Sequence, residues 1–275
     1  MTIDDKVEKA IKLLRTYKGR EPIEVCYSGG KDSDVILQLA KMAGIPYRAI
    51  YKNTTIDPPH TIAHCKSNGV EILRPKETFF ALVRRKGLPT RRARFCCEVL
   101  KEYKVLDNAI QGIRMCESTA RAKRYKEPVI CRLYGAKKNH VNVFLPILEW
   151  TDDDVEQFIA KQKIQCHPLY YDENGAFHVE RRLGCIGCPL KSDNGKADFL
   201  MYPKFLKTLA DNCVIWMRNN PQLKSIKNFG DAYGLIYHNL FCNSYADYLY
   251  RTQTNLWGKK LDCKEYLERY FNITL

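Results

Sequence analysis

The sequence lacks an apolar run long enough to cross a membrane, and its N-terminus, MTIDDKVEKA, lacks the hydrophobic segment of a signal peptide. It also contains no internal repeat and no low-complexity stretch. Apolar residues fill 45% of the 275 positions and charged residues 28%, which is ordinary for a globular protein. From these absences we expect a cytoplasmic protein without a membrane partner.

Acidic residues are in deficit. The chain has 31 Asp and Glu against 45 Lys and Arg, a net charge of +14 with a pI near 9.2. This excess favours a polyanionic partner such as a nucleotide, DNA or RNA, although a general surplus of surface lysine would give the same number. Basic side chains crowd two stretches, which are Arg84, Arg85, Lys86, Arg91, Arg92 and Arg94, and Arg121, Lys123, Arg124 and Lys126.

Apolar periodicity predicts that strands and helices alternate up to residue 161. The predicted strands are 23–28, 46–53, 70–75, 108–114 and 142–147, and the clearest helices are 2–18, 31–43 and 151–162. This alternation is typical of an α/β fold with a doubly wound, mostly parallel, five-stranded sheet. We therefore expect an α/β domain over 1–165. Residues 166–275 would hold a cysteine-pair loop and a helical C-terminal extension.

The turn after the first predicted strand reads SGGKDS, residues 28–33. Two glycines let the backbone approach a phosphate closely, and the following helix start presents N–H groups to an anion. Lys31 adds a positive charge, and Ser28 and Ser33 add hydroxyls. The spacing is neither GxxxxGK[ST] nor GxGxxG. A purely structural turn is the alternative, but the six residues together favour a nucleotide-binding loop at the carboxyl edge of the sheet.

SGGKDS resembles the PP-loop of the ATP pyrophosphatase superfamily, the adenine nucleotide alpha hydrolases. The resemblance implies a Rossmann-like fold that binds ATP at this turn and splits it between the α- and β-phosphates to adenylylate a substrate. The segment NTTIDPP (53–59) resembles the family segment near the nucleotide, which makes Asn53 a nucleotide-binding candidate. The residues implied to hold the pyrophosphate end, with Mg²⁺, are Ser28, Gly29, Gly30, Lys31, Asp32 and Ser33; among these Lys31, Asp32 and Ser33 would be catalytic.

The chain has twelve cysteines, and clustered cysteines in a reducing compartment favour metal binding or catalysis over disulfides. Cys96 and Cys97 are adjacent, and Cys185 and Cys188 form a CxxC followed by proline, a strong metal-ligand signal. Together the two pairs would make a metal site with four thiolate ligands. Such thiolates need compensating positive charge, for which Arg91, Arg92 and Arg94 are candidates.

The arrangement CC…CxxC resembles assimilatory adenylyl-sulfate reductases and the PP-loop component of DNA phosphorothioation systems. The resemblance implies a [4Fe–4S] cluster on the four cysteines; zinc and a ligand-free set are the alternatives. The other eight cysteines are predicted to be packing residues. Among them Cys116, at the expected active edge, is also a candidate sulfur-handling thiol.

QGIRMCESTARA (111–122) resembles the G-x-R-x-x-E-S-x-x-R segment of sulfonucleotide reductases, and LPILEWTDDDVEQFI resembles a further stretch of that family, in which Trp150 and Thr151 start a helix. The closest resemblance is to the phosphoadenosine phosphosulfate reductase family. Arginines suit phosphate or sulfate through bidentate contacts. The matching positions are Gly112, Arg114, Glu117, Ser118 and Arg121; the resemblance implies that Gly112, Arg114, Glu117 and Arg121 bind nucleotide and that Arg114 is also catalytic.

Two features depart from that family. Its reductases usually have a degraded loop, whereas this chain keeps all of SGGKDS. They also use a C-terminal E-C-G-[IL]-H cysteine as nucleophile, whereas the tail here has Cys263 without that motif.

These features support three hypotheses. The first is an ATP pyrophosphatase that adenylylates a substrate, favoured as nucleic acid, for sulfur transfer, with a sulfur-donating partner such as a cysteine desulfurase. The second is an adenylyl-sulfate or phosphoadenylyl-sulfate reductase that forms sulfite. The third is a non-catalytic module that binds nucleotide or nucleic acid. The complete loop favours the first.

Overall fold

A computed structural model describes residues 1–134, 139–253 and 260–275. Six strands form one mixed sheet in the order β3-β2-β1-β4-β6-β5. Strands β1 to β4 and β6 are parallel, and β5 pairs antiparallel with β6 at the edge. The strands are β1 (Ile23–Tyr27), β2 (Tyr47–Lys52), β3 (Glu71–Leu73), β4 (Asn108–Ile110), β5 (Val129–Tyr134) and β6 (Asn139–Phe144).

The sheet confirms the α/β class and the mostly parallel pairing, but the predicted count of five strands is wrong. The additional strand is β5, for which no prediction was made. Its side chains alternate between exposed and half-buried positions, and the exposed ones include Val129 and Leu133. An edge strand that buries neither face fully gives a weak apolar signal in the sequence.

Thirteen α-helices lie in the described residues. Gly44, in the left-handed conformation, ends α2, as the sequence predicted. The helices are α1 (Ile3–Arg15), α2 (Lys31–Ala43), α3 (Thr61–Ser67), α4 (Phe79–Lys86), α5 (Phe95–Leu100), α6 (Thr119–Arg124), α7 (Asp152–Gln162), α8 (Lys196–Met201), α9 (Pro203–Asn219), α10 (Lys224–Phe229), α11 (Ala232–Phe241), α12 (Tyr245–Thr252) and α13 (Cys263–Phe271). None of these helices combines the length and apolar character that crossing a bilayer requires.

The chain divides into two compact units, and both are discontinuous in sequence. The sheet unit comprises Met1–Asn53, Asp57–Pro75 and Glu98–Gly184. The helical unit comprises Thr54–Ile56, Lys76–Cys97 and Cys185–Leu275. The single boundary at residue 165 stays a prediction.

The core of the sheet unit is centred on α2, which packs against α1, α7 and β1. Nine of its thirteen residues are buried, including Val35, Ile36 and Leu39. Because the helix is anchored so deeply, its first turn is held in a fixed place at the end of β1. The fold therefore gives the loop before α2 a rigid support.

Aromatic rings form much of the core of the helical unit. Phe205 stacks with Phe199 at a centroid distance of 6.1 Å, and Phe241 meets Tyr266 at 5.2 Å. Aromatic side chains bury large areas, so a short helical region can form a core with few residues. Much of the aromatic content of the C-terminal region is therefore core.

Candidate nucleotide site and cysteine quartet

The predicted phosphate loop lies between β1 and α2. Gly29 has a φ of +79°, and Gly30 occupies the N-cap of α2 without a side-chain cap on the helix start. The N-cap residue therefore gives the first N–H groups of this long, buried helix no side-chain acceptor, although the Tyr170 hydroxyl lies beside the Lys31 N–H. A helix N-terminus in this state favours an anion.

The space around Gly29 and Gly30 leaves little room for a larger side chain. A Cβ atom at Gly29 would lie 3.1 Å from Leu183 and 3.1 Å from Thr61, and one at Gly30 would lie 3.2 Å from the Tyr170 hydroxyl. The positive φ of Gly29 adds a backbone penalty for any other residue. The loop is therefore packed closely on its protein side.

The polar side chains of the loop converge. Ser33 Oγ donates to the Gly30 carbonyl at 2.6 Å and lies 3.3 Å from Ser28 Oγ. Lys31 is only 4% exposed; its Nζ lies 3.5 Å from an Asp32 carboxylate oxygen and 5.6 Å from the Tyr170 ring centroid. Because these contacts are long, the buried ammonium can still donate shorter, stronger hydrogen bonds to an anionic ligand.

Arg114 is brought to the same loop and is only 2% exposed. Its guanidinium donates at 2.8 Å to Asp32 and to Asp152, and at 3.0 Å to Cys116 Sγ. Burial opposes its charge, but the carboxylates of Asp32 and Asp152 outweigh burial and raise the pKa of Arg114. Gly112 allows this approach, since a Cβ there would lie 2.9 Å from the Asp32 carbonyl oxygen. Arg114 thus orients Asp32.

Asp152 was not among the predicted site residues. It is the first residue of α7, after Thr151, which caps the helix, and Trp150, which is buried against Phe158. An acidic residue in the first turn of a helix is usually a response to the helix dipole, so its sequence pattern gave no reason to pair it with Arg114.

The Cys116 thiol lies beside Arg114 and donates to the Trp150 carbonyl at 3.2 Å. Burial raises its pKa, and this effect together with the nearby carboxylates of Asp152 and Asp32 outweighs the lowering effect of Arg114. The thiol is therefore protonated at neutral pH in this arrangement. Its predicted role in sulfur handling stays a prediction.

Glu117 and Arg121 lie together, and Arg182 joins them. Glu117 pairs with Arg121 and lies 4.0 Å from Arg182. Burial, followed by the like charge of Arg182, lowers the pKa of Arg121. One carboxylate for two guanidinium groups leaves a local surplus of positive charge. Ser118 instead caps α6 by accepting from the Arg121 N–H at 3.2 Å.

The segment 53–59 is shared between the two units. Asn53 follows β2 in the sheet unit, and its N–H donates to the Leu73 carbonyl at 3.0 Å. Thr54 belongs to the helical unit, where its Oγ1 lies 3.5 Å from Cys185 Sγ. The nucleotide-binding role of Asn53 stays a prediction.

A buried polar network below the loop was not predicted. Asp34, next to Ser33 on α2, accepts a hydrogen bond from Tyr27 and contacts His64 Nε2 at 2.9 Å. Burial raises the pKa of Asp34. These side chains are far apart in sequence and follow no motif, so only the fold shows that they meet.

His167 is held neutral by its surroundings. Its Nε2 lies 3.0 Å from the Pro59 carbonyl, to which it donates, and its Nδ1 accepts from the Leu169 N–H at 3.1 Å. Burial, and then the neighbouring His64, lowers its pKa from 6.5 to about 4. A proton on Nδ1 would break the contact with Leu169.

We therefore expect acid to destabilise the sheet unit. Between pH 6.5 and about 4, His167 is protonated in the unfolded chain but neutral in the folded chain. The free energy of unfolding therefore falls as the pH falls through this window. The loss attributable to this group is about 1–3 kcal/mol. Urea unfolding at both ends of the window measures it. His167→Gln keeps one donor and one acceptor and should reduce the slope; an unchanged slope would contradict the assignment.

All four predicted ligand cysteines lie in the helical unit and are half-buried. Cys96 and Cys97 are in α5, and Cys185 and Cys188 flank a tight turn. A hydrogen bond with Cys97, burial, and the charges of Cys97, Cys185 and Cys188 all raise the pKa of Cys96. These interactions require the other three sulfur atoms to lie near that of Cys96. We call the four residues the cysteine quartet.

Four thiols are a donor set that either a zinc ion or a [4Fe–4S] cluster accepts. Among the described residues, no three or more His, Cys, Asp or Glu side chains are arranged to hold a metal ion. One zinc ion would need its thiolates about 3.8 Å apart, from a Zn–S bond of about 2.3 Å. In a [4Fe–4S] cluster each of four thiolates binds a different iron. The donor set of four thiols fits that cluster.

The turn of the second cysteine pair is fixed by its neighbours. Gly187 has a φ of +67°, and a Cβ there would lie 2.6 Å from the Phe199 ring. The Gly187 N–H donates to Asp198 at 2.8 Å, and the Ile186 N–H donates to the Ile56 carbonyl at 2.8 Å. The turn therefore holds its shape through contacts of the protein alone.

Arg91 makes a structural link near the quartet, and its expected role in charge compensation stays a prediction. Its guanidinium donates to the Pro189 carbonyl at 2.9 Å, to the Lys191 carbonyl at 2.6 Å and to Asn194 Oδ1 at 3.0 Å. Arg91 thus joins the segment before Cys96 to the turn after Cys188.

Residues 22–191 match the family model of the phosphoadenosine phosphosulfate reductase domain. This match covers more than half of the chain and includes the loop, Arg114 and the cysteine quartet. The chain belongs to the phosphoadenosine phosphosulfate reductase family, within the PP-loop superfamily.

Curated relatives are longer proteins. An uncharacterized protein of Methanocaldococcus jannaschii is 28% identical over 232 residues, 76% of this chain and 53% of that protein. A second one from the same organism is 31% identical over 205 residues, 68% of this chain and 40% of that protein. The chain thus spans about half the length of these relatives. Sulfate adenylyltransferase subunit 2 of Streptomyces lavendulae is 28% identical over 195 residues, 59% and 61% of the two chains.

Solved structures show distant likeness. Phosphoadenylyl-sulfate reductase from Candida auris is 14% identical with a TM-score of 0.45, over 66% of this chain and 93% of that one. The U34-tRNA thiolase NcsA from Methanococcus maripaludis, solved with its [4Fe–4S] cluster, is 17% identical with a TM-score of 0.42, over 80% and 82%.

Proposed function

We propose that this protein is an ATP pyrophosphatase that adenylylates an acceptor, a nucleic acid, for sulfur transfer. The observation that carries the proposal is the complete loop, with buried Lys31 at the uncapped start of α2. A reductase that acts on adenylyl sulfate needs no site for a departing pyrophosphate. A cradle of N–H groups, hydroxyls and an ammonium supplies such a site.

Each part of the loop has a role in this reaction. The β- and γ-phosphates of ATP, with Mg²⁺, would lie at the start of α2, where Lys31 faces the charge that grows as pyrophosphate leaves. An acceptor oxygen attacks the α-phosphorus, the bond to the bridging oxygen breaks, and pyrophosphate departs with the electron pair. Asp32 is oriented by Arg114 at 2.8 Å, so it can position Lys31 or the metal.

The cysteine quartet would hold the [4Fe–4S] cluster, which supplies sulfur-relay chemistry when bound. A sulfur-donating partner, for which a cysteine desulfurase is the candidate, would carry sulfur as a persulfide, and a thiol reductant would supply the two electrons that release this sulfur at the oxidation level of sulfide. That sulfur displaces AMP from the adenylylated acceptor, so the exchange needs no further oxidant.

Reduction of adenylyl sulfate or phosphoadenylyl sulfate to sulfite is the second candidate, favoured by family membership. It requires a mobile cysteine that attacks sulfur. Cys263 is the first residue of α13 and half-buried, and burial followed by the charge of Asp231 raises its pKa to about 11. A thiol held protonated in a helix is a poor nucleophile, which weighs against this candidate.

One assay separates the two candidates. Protein purified without oxygen is given ATP and Mg²⁺, with and without DNA or RNA, and pyrophosphate is measured; in parallel it is given adenylyl sulfate and a thiol reductant, and sulfite is measured. We expect pyrophosphate and no sulfite. Sulfite without pyrophosphate would overturn the proposal in favour of the reductase.

A further inference from the structure

An open groove of about 480 Å³ lies beside the second cysteine pair, within the helical unit. The residue between the two cysteines, Ile186, forms part of its wall. Its lining is mainly apolar and aromatic and consists of Phe80, Ile186, Met201, Tyr202, Pro203, Lys204, Phe205 and Thr208.

The floor of the groove is rigid and the rim is exposed. Phe80 meets Phe205 at a centroid distance of 5.1 Å, and Phe205 in turn stacks on Phe199 in the core. Met201, on the rim, is 67% exposed. A fixed aromatic floor with an open apolar rim can receive a flat ring, because stacking needs an accessible π-face.

Two exposed cations are associated with this groove. Lys204 lines it and is exposed, and Arg84 is exposed four residues after Phe80 on α4, which puts both on one helix face. Within the described residues neither cation has a carboxylate at ion-pair distance. The helical unit as a whole holds 19 Lys and Arg against 9 Asp and Glu. The charge around the groove is therefore complementary to a phosphate backbone.

We propose that the groove binds an unpaired base of a nucleic-acid strand and thereby presents the acceptor beside the cysteine quartet. This inference rests on the proposed function and specifies its acceptor as single-stranded or locally unpaired nucleic acid. Bases inside a duplex keep their faces stacked, whereas an unpaired base can lie on Phe80 and Phe205 while its phosphates meet Lys204 and Arg84. A protein partner would use the apolar surface but not the charge.

Fluorescence anisotropy tests the inference on the full chain with a labelled DNA or RNA single strand and the matching duplex. We expect the single strand to bind more tightly than the duplex. Met201→Glu should weaken single-strand binding by about tenfold or more, because a carboxylate on the rim repels the phosphates and hinders a base from reaching the aromatic rings. Lys204→Glu should weaken binding and reduce its salt dependence.

Matched controls make the result specific. Leu249→Glu places the same charge on an exposed apolar position of α12, and Lys18→Glu reverses an exposed cation of the sheet unit; both should bind strands like the wild type. Equal binding of duplex and single strand, or an unaffected Met201→Glu variant, would overturn the inference. So would a protein partner whose capture depends on Met201 while strand binding does not.

Pyrophosphate measurements on the same variants separate this inference from the proposed function. Strand binding that depends on Met201, without pyrophosphate release under any condition, would uphold the groove and reject the pyrophosphatase. Pyrophosphate release with a small-molecule acceptor, without strand binding, would do the reverse.

Discussion

Lys31→Ala is expected to lower ATP-dependent pyrophosphate release by roughly 10²–10³-fold, the loss seen when one preorganised charge-stabilising donor is removed from an active site. Lys31 is buried at the start of α2, and its two contacts, with Asp32 and the Tyr170 ring, are long. Its ammonium therefore contributes little to the fold but would meet the charge of the departing pyrophosphate. Release is measured under single-turnover conditions, and thermal unfolding of the variant checks that the fold is retained.

Lys41 provides the control on the same helix. It is exposed in the last turn of α2, so Lys41→Ala removes the same charge without touching the loop. We expect its pyrophosphate release to match the wild type. Equal activity of Lys31→Ala and Lys41→Ala would show that the loop does not stabilise the leaving group, and the phosphate-binding assignment would be wrong.

Cys185→Ser is expected to remove iron and acid-labile sulfide from protein purified without oxygen. Cys185 belongs to the quartet, in which the charges of the other three thiolates raise the pKa of Cys96. A serine in place of one thiolate leaves a cluster iron without its soft ligand. The wild type should contain iron and sulfide in equal amounts and show a visible absorption band that bleaches on reduction. The variant should be colourless and retain its secondary structure.

Cys131→Ser is the matched control, because Cys131 is exposed on β5 in the sheet unit. This variant should keep its iron and its colour. Stoichiometric zinc in the wild type without iron would contradict the iron–sulfur assignment and return the site to the zinc alternative. Wild type without bound metal would leave the quartet as packing cysteines.

The sequence predicted the parts of the fold that follow local periodicity. The predicted strand 23–28 is β1, which ends slightly earlier, at Tyr27; the helix starting at Lys31 and the glycine stop at Gly44 lie where the pattern placed them. The edge strand β5 was missed by the sequence analysis because an incompletely buried strand needs no continuous apolar run. The two discontinuous units could not be predicted, because contacts between segments that are distant in the chain produce no pattern within a short stretch of sequence.

The candidate site shows the same division. SGGKDS and GIRMCES were conspicuous as motifs, and the structure brings Gly112 and Arg114 to Asp32. Asp152 supplies the second carboxylate that accepts from Arg114. It was not predicted because acidic residues at the start of a helix are common for another reason, the helix dipole. Asp34 and His64 were hidden because they form a contact between α2 and α3 with no fixed spacing. Motifs reveal the groups that face a ligand, whereas the groups that hold them in place depend on the fold.

Arg91 has a consequence for how the protein matures. It joins the segment before the first cysteine pair to the turn after the second, through oxygens of Pro189, Lys191 and Asn194. If the quartet binds a cluster, its ligand set is complete only when both segments have left the ribosome and have met. Cluster insertion would therefore be a late event that acts on an already folded receptor.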